Sequence, residues 1–244
     1  MRDNPCSLDV NHPEVVVAIR PASIEDVCGD QPHLAGTVDL VKDMDRAWPW
    51  TRFLLDSDKL KDPSLCAFLL REARMGSINP DRVYVAVRDP QTHIAAWRAG
   101  VGGIIVSPDV ERVSDARDYL RGIQAVQMAL ALDYGRQCLR GKPTLPVLLE
   151  QKTDDPYGFA VLGDFYAEGL IDGCLDSTPH GAISRRVSVR SGCGPRILRQ
   201  SLTDQDNLLE AWRQGTLPVI PWGAKSLYNA AVAGDALVRE ESVH

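Results

Sequence analysis

Apolar positions along this chain switch between a period of two and a period near three and a half, and the clearest switch lies between Arg82 and Ala116. Val83, Val85 and Val87 alternate as a strand requires, whereas Ile94, Trp97 and Arg98 follow at helical spacing. Asp89-Pro90 marks the turn into that helix, and Ala99-Gly100 marks its end. Gly102-Gly103 then leads into Ile104-Ile105-Val106, stopped by Pro108. A strand, a helix and a second strand in this order predict a βαβ unit with parallel strands and a right-handed crossover. The same reading puts Ser107, Pro108 and Asp109 where a strand leaves the sheet, the edge on which α/β enzymes build their sites.

The flanking pattern repeats the alternation. Strands are expected at Val15–Ile19, Val38–Val41, Pro146–Leu149, Gly169–Ile171 and Leu217–Ile220. Helices are expected at Pro63–Met75, Ser114–Cys138, Phe159–Tyr166, Asp204–Gln214 and Ser226–Glu240, with a short one beginning near Pro32–Leu34. Seven or eight strand candidates separated by helices favour a (β/α)8 barrel over an open doubly wound sheet. No glycine-rich phosphate fingerprint follows the first strand, which argues against a dinucleotide fold. Residues 1–12 are polar and expected to be flexible, and 13–244 are expected to form one barrel domain.

Composition narrows the functional classes. A hydrophobic share of 44% supplies a core, and a net charge of −6 argues against a nucleic-acid surface. The run Arg185-Arg186, Arg190, Arg196, Arg199 is read as a solvated face, because it lacks interleaved aromatics. Six cysteines show no CxxC pair, so they read as reduced thiols of a cytoplasmic protein, with Cys174 a small buried hydrophobe. No apolar run is long enough to cross a bilayer, so no membrane association is expected.

The residues RVYVAVRDPQTHIAAWRAGVGGIIVSPDVERVSDAR resemble the central signature of the HpcH/HpaI aldolase and citrate lyase β-subunit family. PVLLEQKTDDPYGFAVLGDFYAEGLIDGCLDSTPHG is similar to that family's metal-ligand strand and following loop, and LLEAWRQGTLPVIPWGAKSLYNAAVAGDAL to its closing strand and helix. The resemblance implies a (β/α)8 barrel, commonly trimeric or hexameric, that cleaves or condenses 2-oxo acids. It also implies a divalent metal held by a Glu and an Asp, with an arginine and a histidine managing oxyanion and proton. On this chain the metal Asp falls on Asp176. The metal Glu falls on Lys152, or on Glu150 if the strand slips by two. The family arginine falls on Tyr84, with Arg88 nearby in another register, and the histidine of its D-x-E-H loop falls on Arg46.

Several candidates carry more than one reading. Asp176 suits a ligand, a general acid/base or a helix N-cap, and His180 suits a proton shuttle or an inert loop histidine. Glu150 and Lys152 suit an ion pair at the pocket mouth, and Tyr84 a donor to a substrate carbonyl or a packed aromatic. Trp48, Trp50 and Trp222 are placed at one barrel end, as an apolar pocket or as subunit packing. Together these predict a repurposed aldolase-fold enzyme acting on an apolar small molecule without a metal. Tyr84, Lys152 and Asp176 are its catalytic groups, and Arg46, Trp48, Trp50, Glu150, His180 and Trp222 bind the substrate. The expected reaction is a cyclisation, pericyclic closure included, or cofactor-free isomerisation or C–C bond chemistry. Two alternatives stand beside it. One is a lyase using Mg²⁺ or Mn²⁺ on Glu150 and Asp176, the other a non-catalytic scaffold subunit. A homo-oligomer is expected in each case.

Overall fold

The computed structural model describes residues 12–19, 34–56, 63–108, 112–134, 144–152, 156–178, 196–200 and 204–241. Eight strands close a fully parallel barrel in sequence order. They are β1 (Val15–Ile19), β2 (Thr51–Asp56), β3 (Val83–Val87), β4 (Gly103–Val106), β5 (Val147–Gln151), β6 (Gly173–Asp176), β7 (Arg196–Gln200) and β8 (Leu217–Pro221). Seven α-helices among the described residues surround them. They are α1 (Leu34–Ala47), α2 (Pro63–Met75), α3 (Pro90–Ala99), α4 (Val113–Tyr134), α5 (Pro156–Ala167), α6 (Gln205–Arg213) and α7 (Ala224–Glu241). The (β/α)8 barrel read from the sequence is the observed fold.

The βαβ unit forms as its residues dictate. Asp89 caps α3 by accepting from the Thr92 N–H at 2.8 Å, and Pro90 occupies the first helical turn. Gly100 ends the helix at φ +67°, a left-handed conformation that favours glycine. Both flanking strands are wholly buried, since helices cover one face and the barrel interior fills the other.

Three assignments change. Val38–Val41 lies inside α1, where Val38, Val41 and Met44 recur at helical spacing and are buried. The second strand is instead Thr51–Asp56, which follows directly on Trp48 and Trp50. The sixth strand is Gly173–Asp176, displaced from the expected Gly169–Ile171. The seventh strand, Arg196–Gln200, lies inside the basic run read as a solvated face, and Arg199 there is only 2% exposed.

Two packed layers result. Between strands and helices lie Val17, Phe53, Val85, Trp97, Ile104, Phe165 and Ile220 with their neighbours. The barrel interior holds Val16, Ala18, Leu54, Tyr84, Ile105, Leu148, Leu175, Leu198 and Val219. Because side chains alternate along a strand, this second set fixes which residues face inward at each end.

Gly173 keeps β6 and β7 together. A Cβ built there meets the Arg196 carbonyl oxygen at 1.9 Å, a backbone atom with no freedom to yield. Gly173→Ala is expected to destabilise the fold by about 2 kcal/mol or more, as overpacking of a rigid site does. A lowered urea midpoint with an unchanged slope is the readout.

Candidate active site at the barrel mouth

Inward alternation carries three strands up to charged residues at the C-terminal mouth: Leu54 to Asp56, Tyr84 to Arg88, and Leu148 to Glu150 and Lys152. The Arg88 guanidinium is the hub. Its Nη2 donates to Glu150 Oε2 at 3.1 Å and lies 3.7 Å from Asp56 Oδ2. Lys152 Nζ lies 3.5 Å from the same Glu150 oxygen. The Ser177 hydroxyl approaches Glu150 Oε1 at 3.3 Å and Gln200 Oε1 at 2.5 Å. Strands β2, β3, β5, β6 and β7 thus converge on one polar cluster above an apolar interior.

The electrostatics follow from burial against charge. The Glu150 side chain is 3% exposed, and burial alone would push its carboxyl up. The Arg88 hydrogen bond and charge, aided by Lys152 and the Ser107 hydroxyl, outweigh this and hold it below the ordinary value. Glu150 is therefore ionised at neutral pH. Lys152 is 61% exposed and reaches toward solvent at the mouth.

Several expected site residues lie elsewhere. Tyr84 faces the interior but at the opposite end, where its hydroxyl accepts from Arg196 Nη1 at 2.7 Å. It also bonds Arg52, which is held by a bidentate pair with Glu14 at 2.7 Å and by the Asp81 carbonyl. That cluster closes the N-terminal end of the barrel. A donor there is too far from the mouth, so Tyr84→Phe is expected to leave turnover within about threefold. It should cost about 1 kcal/mol of stability for the lost hydrogen bond, read by activity and urea melts side by side.

Asp176 pairs in register with Gln151 and Arg199, so it faces the helix layer rather than the interior. One oxygen accepts from the Thr178 N–H at 3.1 Å and hydroxyl at 2.5 Å. The backbone bond two residues on is an Asx turn at the end of β6. Cys174 sits on the same face, and burial pushes its thiol up to about 12, the state of an inert buried cysteine.

Arg46 is solvent-exposed on the last turn of α1, 3.9 Å from Asp43, away from the mouth. The stretch Asp43–Arg46 matched to the D-x-E-H loop is helical, and Asp45 binds Arg82 and the Asn79 N–H. Trp48 and Trp50 precede β2 and stack on each other at 6.1 Å, at the N-terminal end. Trp222 follows β8 at the other end. The three still share a surface: with Leu40, Met44, Leu227 and Tyr228 they line an apolar cavity of about 450 Å³ outside the barrel, between α1 and α7. None of them lines the mouth cluster. His180 lies outside the described residues.

The mouth cluster brings Glu150 and Lys152 together with Asp56, Arg88, Ser107, Ser177 and Gln200, of which Asp56, Ser177 and Gln200 were not among the residues read from the sequence. For Arg88 the signal was present: it is four residues beyond Tyr84 on one strand line, hence on the same face and about 13 Å nearer the mouth.

No family model matches the chain, and no curated protein matches it. Solved structures do. An HpcH/HpaI aldolase from Desulfitobacterium hafniense DCB-2 is similar at TM-score 0.54 and 11% identity, covering 94% of each chain. The citrate synthase SbnG is similar at TM-score 0.54 and 14% identity over 96% of each chain. A dihydrodipicolinate synthase from Agrobacterium tumefaciens str. C58 reaches TM-score 0.53 at 13% identity, covering 85% of this chain and 72% of that one. The chain shares the closed (β/α)8 barrel of these structures. At these identities the likeness is one of fold.

The metal seat implied by that resemblance does not fit these side chains. Glu150 faces the interior and Asp176 the helix layer, so the two carboxylates lie on opposite faces of the sheet. The Glu150 oxygens meet a guanidinium, an ammonium and a hydroxyl. Among the described residues no group of three or more His, Cys, Asp or Glu is placed to hold an ion. Among them, too, no helix is long and apolar enough to cross a membrane.

Proposed function

We propose that this chain is an enzyme that activates a carbonyl compound at the barrel mouth, with Arg88 and Lys152 holding the oxyanion that a metal holds in other aldolases. The observation that carries this reading is the convergence of Asp56, Arg88, Glu150, Lys152 and Ser177 from four strands onto the C-terminal mouth. Two cations gathered on a largely buried carboxylate supply a site for electrostatic stabilisation of developing charge.

Each residue has a role. The substrate carbonyl oxygen sits against the Lys152 ammonium and the Arg88 guanidinium. As a C–C bond breaks, or a proton leaves the neighbouring carbon, the electron pair passes into the carbonyl and the two cations receive the negative oxygen. Glu150, kept ionised, is a positioning residue that sets both cations. Asp56, the second carboxylate on Arg88, takes and returns the proton. Two cations and two carboxylates leave the described cluster formally neutral, which suits an uncharged or singly charged carbonyl compound better than a dianion.

Retro-aldol cleavage, its reverse, isomerisation through an enolate and ring closure by an internal aldol step share this oxyanion. Pericyclic closure in an apolar pocket has less support, because Trp48, Trp50 and Trp222 line a cavity outside the barrel. The test is hydrogen exchange by NMR in deuterium oxide, using a panel of 2-oxo acids, β-hydroxy ketones and β-keto acids, with and without EDTA. Exchange next to the carbonyl of at least one member, unchanged by EDTA, is expected. Exchange that EDTA abolishes, or none by folded protein with any member, overturns the reading.

A further inference from the structure

We propose that Gln200 sets the substrate class of the mouth. The substrate is a neutral β-dicarbonyl compound, whose second oxygen Gln200 binds while Arg88 and Lys152 hold the first, a role that rests on the oxyanion reading above.

Gln200 ends β7, two residues beyond the interior Leu198, and pairs in register with Val219, another interior residue. Its side chain therefore faces the barrel axis at the mouth. Ser177 arrives there by the same rule, two residues beyond the interior Leu175. A hydroxyl has one hydrogen to donate, and two acceptors lie beside this one. Gln200 Oε1 at 2.5 Å takes the stronger bond and Glu150 Oε1 at 3.3 Å the weaker. The carboxamide is thus anchored through its oxygen. Its nitrogen keeps two N–H donors with no protein partner among the described residues.

Donors and cations sit on the two oxygens of one carboxylate. Arg88 and Lys152 lie on Glu150 Oε2, whereas Ser177, with Gln200 behind it, lies on Oε1. A molecule whose first carbonyl meets the cations therefore has a second donor group beside it. A β-dicarbonyl presents two oxygens on either side of one carbon and matches such a pair. The second oxygen is neutral, because an amide meets it rather than the guanidinium fork that suits a carboxylate. A carboxylate there would also face the ionised Glu150 across Ser177. When the proton on the carbon between the carbonyls passes to Asp56, the electron pair spreads over both oxygens. One oxygen then rests on the cations and the other on the Gln200 N–H groups. Ser177 touches no substrate atom and is a positioning residue for the amide.

Saturation-transfer NMR on the full chain measures affinities for acetoacetamide, free acetoacetate and methyl propyl ketone. Deuterium exchange in the same samples is compared with protein-free solution. Acetoacetamide is expected to bind about tenfold tighter than the monoketone, and tighter than acetoacetate. Gln200→Leu should weaken acetoacetamide about tenfold and leave the monoketone unchanged. Gln200→Glu, of the same shape but without the donors, should do the same. Ser177→Ala should weaken acetoacetamide, and Ser177→Thr, which keeps the hydroxyl, should retain its affinity. Equal affinity for amide and monoketone, indifference to both Gln200 variants, a preference for acetoacetate, or no binding of any probe overturns the subsite. Binding through Gln200 without accelerated exchange keeps the subsite and overturns carbonyl activation. Accelerated exchange indifferent to Gln200 does the reverse.

Discussion

Arg88→Met is expected to lower the stability of the protein by about 3 kcal/mol and its turnover by a factor of about 10² to 10³. The stability loss comes from Glu150, whose side chain is 3% exposed and whose nearest cation is Arg88 at 3.1 Å. Removing the guanidinium leaves a buried carboxylate opposed, among the described residues, by the Lys152 ammonium at 3.5 Å and the Ser107 and Ser177 hydroxyls. Such uncompensated charge is costlier than the pair is favourable. Glu150→Gln added to Arg88→Met should therefore recover part of the lost stability, since an amide carries no charge to strand.

The pH dependence has a definite sign. Glu150 is held below its ordinary value of 4.5, so the folded state favours the ionised form more than the unfolded state does. Its contribution is fully present above the ordinary value and is lost as pH falls through the lower folded value. In Arg88→Met, burial is opposed by less and the carboxyl rises toward or above its ordinary value, so the stability lost through Glu150 on acidification shrinks or reverses. Urea midpoints measured between about pH 3 and pH 7 should show a shallower acid limb in the mutant than in the native protein, from its lower plateau at neutral pH. An unchanged limb would mean that Arg88 does not govern Glu150.

The barrel was legible because its βα units obey local rules: Asp89 and Pro90 start a helix, Gly100 stops it, and valines alternate before it. Strands β2 and β7 were not legible, for related reasons. Both carry an arginine within a short apolar run, and both arginines find partners only in the folded barrel. Arg52 binds Glu14, 38 residues away in sequence, and Arg196 binds Tyr84, 112 away. Read alone, RILRQ has the polarity of a loop.

The site was half legible for a different reason. All four residues of β6 are buried, because helices cover one face and the interior fills the other. Hydrophobicity therefore does not reveal which of Leu175 and Asp176 faces the centre. A one-residue ambiguity in facing separates a ligand pair from two carboxylates on opposite sides of a sheet. Tyr84 shows the complementary problem: its inward facing is readable, but the end of the barrel its hydroxyl reaches depends on Arg52 and Arg196.

Lys152 provides the cleaner separation of chemistry from stability. Its side chain is 61% exposed, so Lys152→Met should leave the unfolding free energy within about 0.5 kcal/mol. Turnover should still fall by about 10² to 10³, the cost of removing one preorganised donor to an oxyanion. Lys152→Arg divides the remaining explanations, because a guanidinium keeps the positive charge but cannot condense with a carbonyl. Recovery to within about tenfold of the native rate is expected if the ammonium acts as a charge, by the arithmetic of one decade per 1.4 kcal/mol. An arginine variant as slow as the methionine one, together with a borohydride-trapped adduct on Lys152, would make the lysine a nucleophile instead.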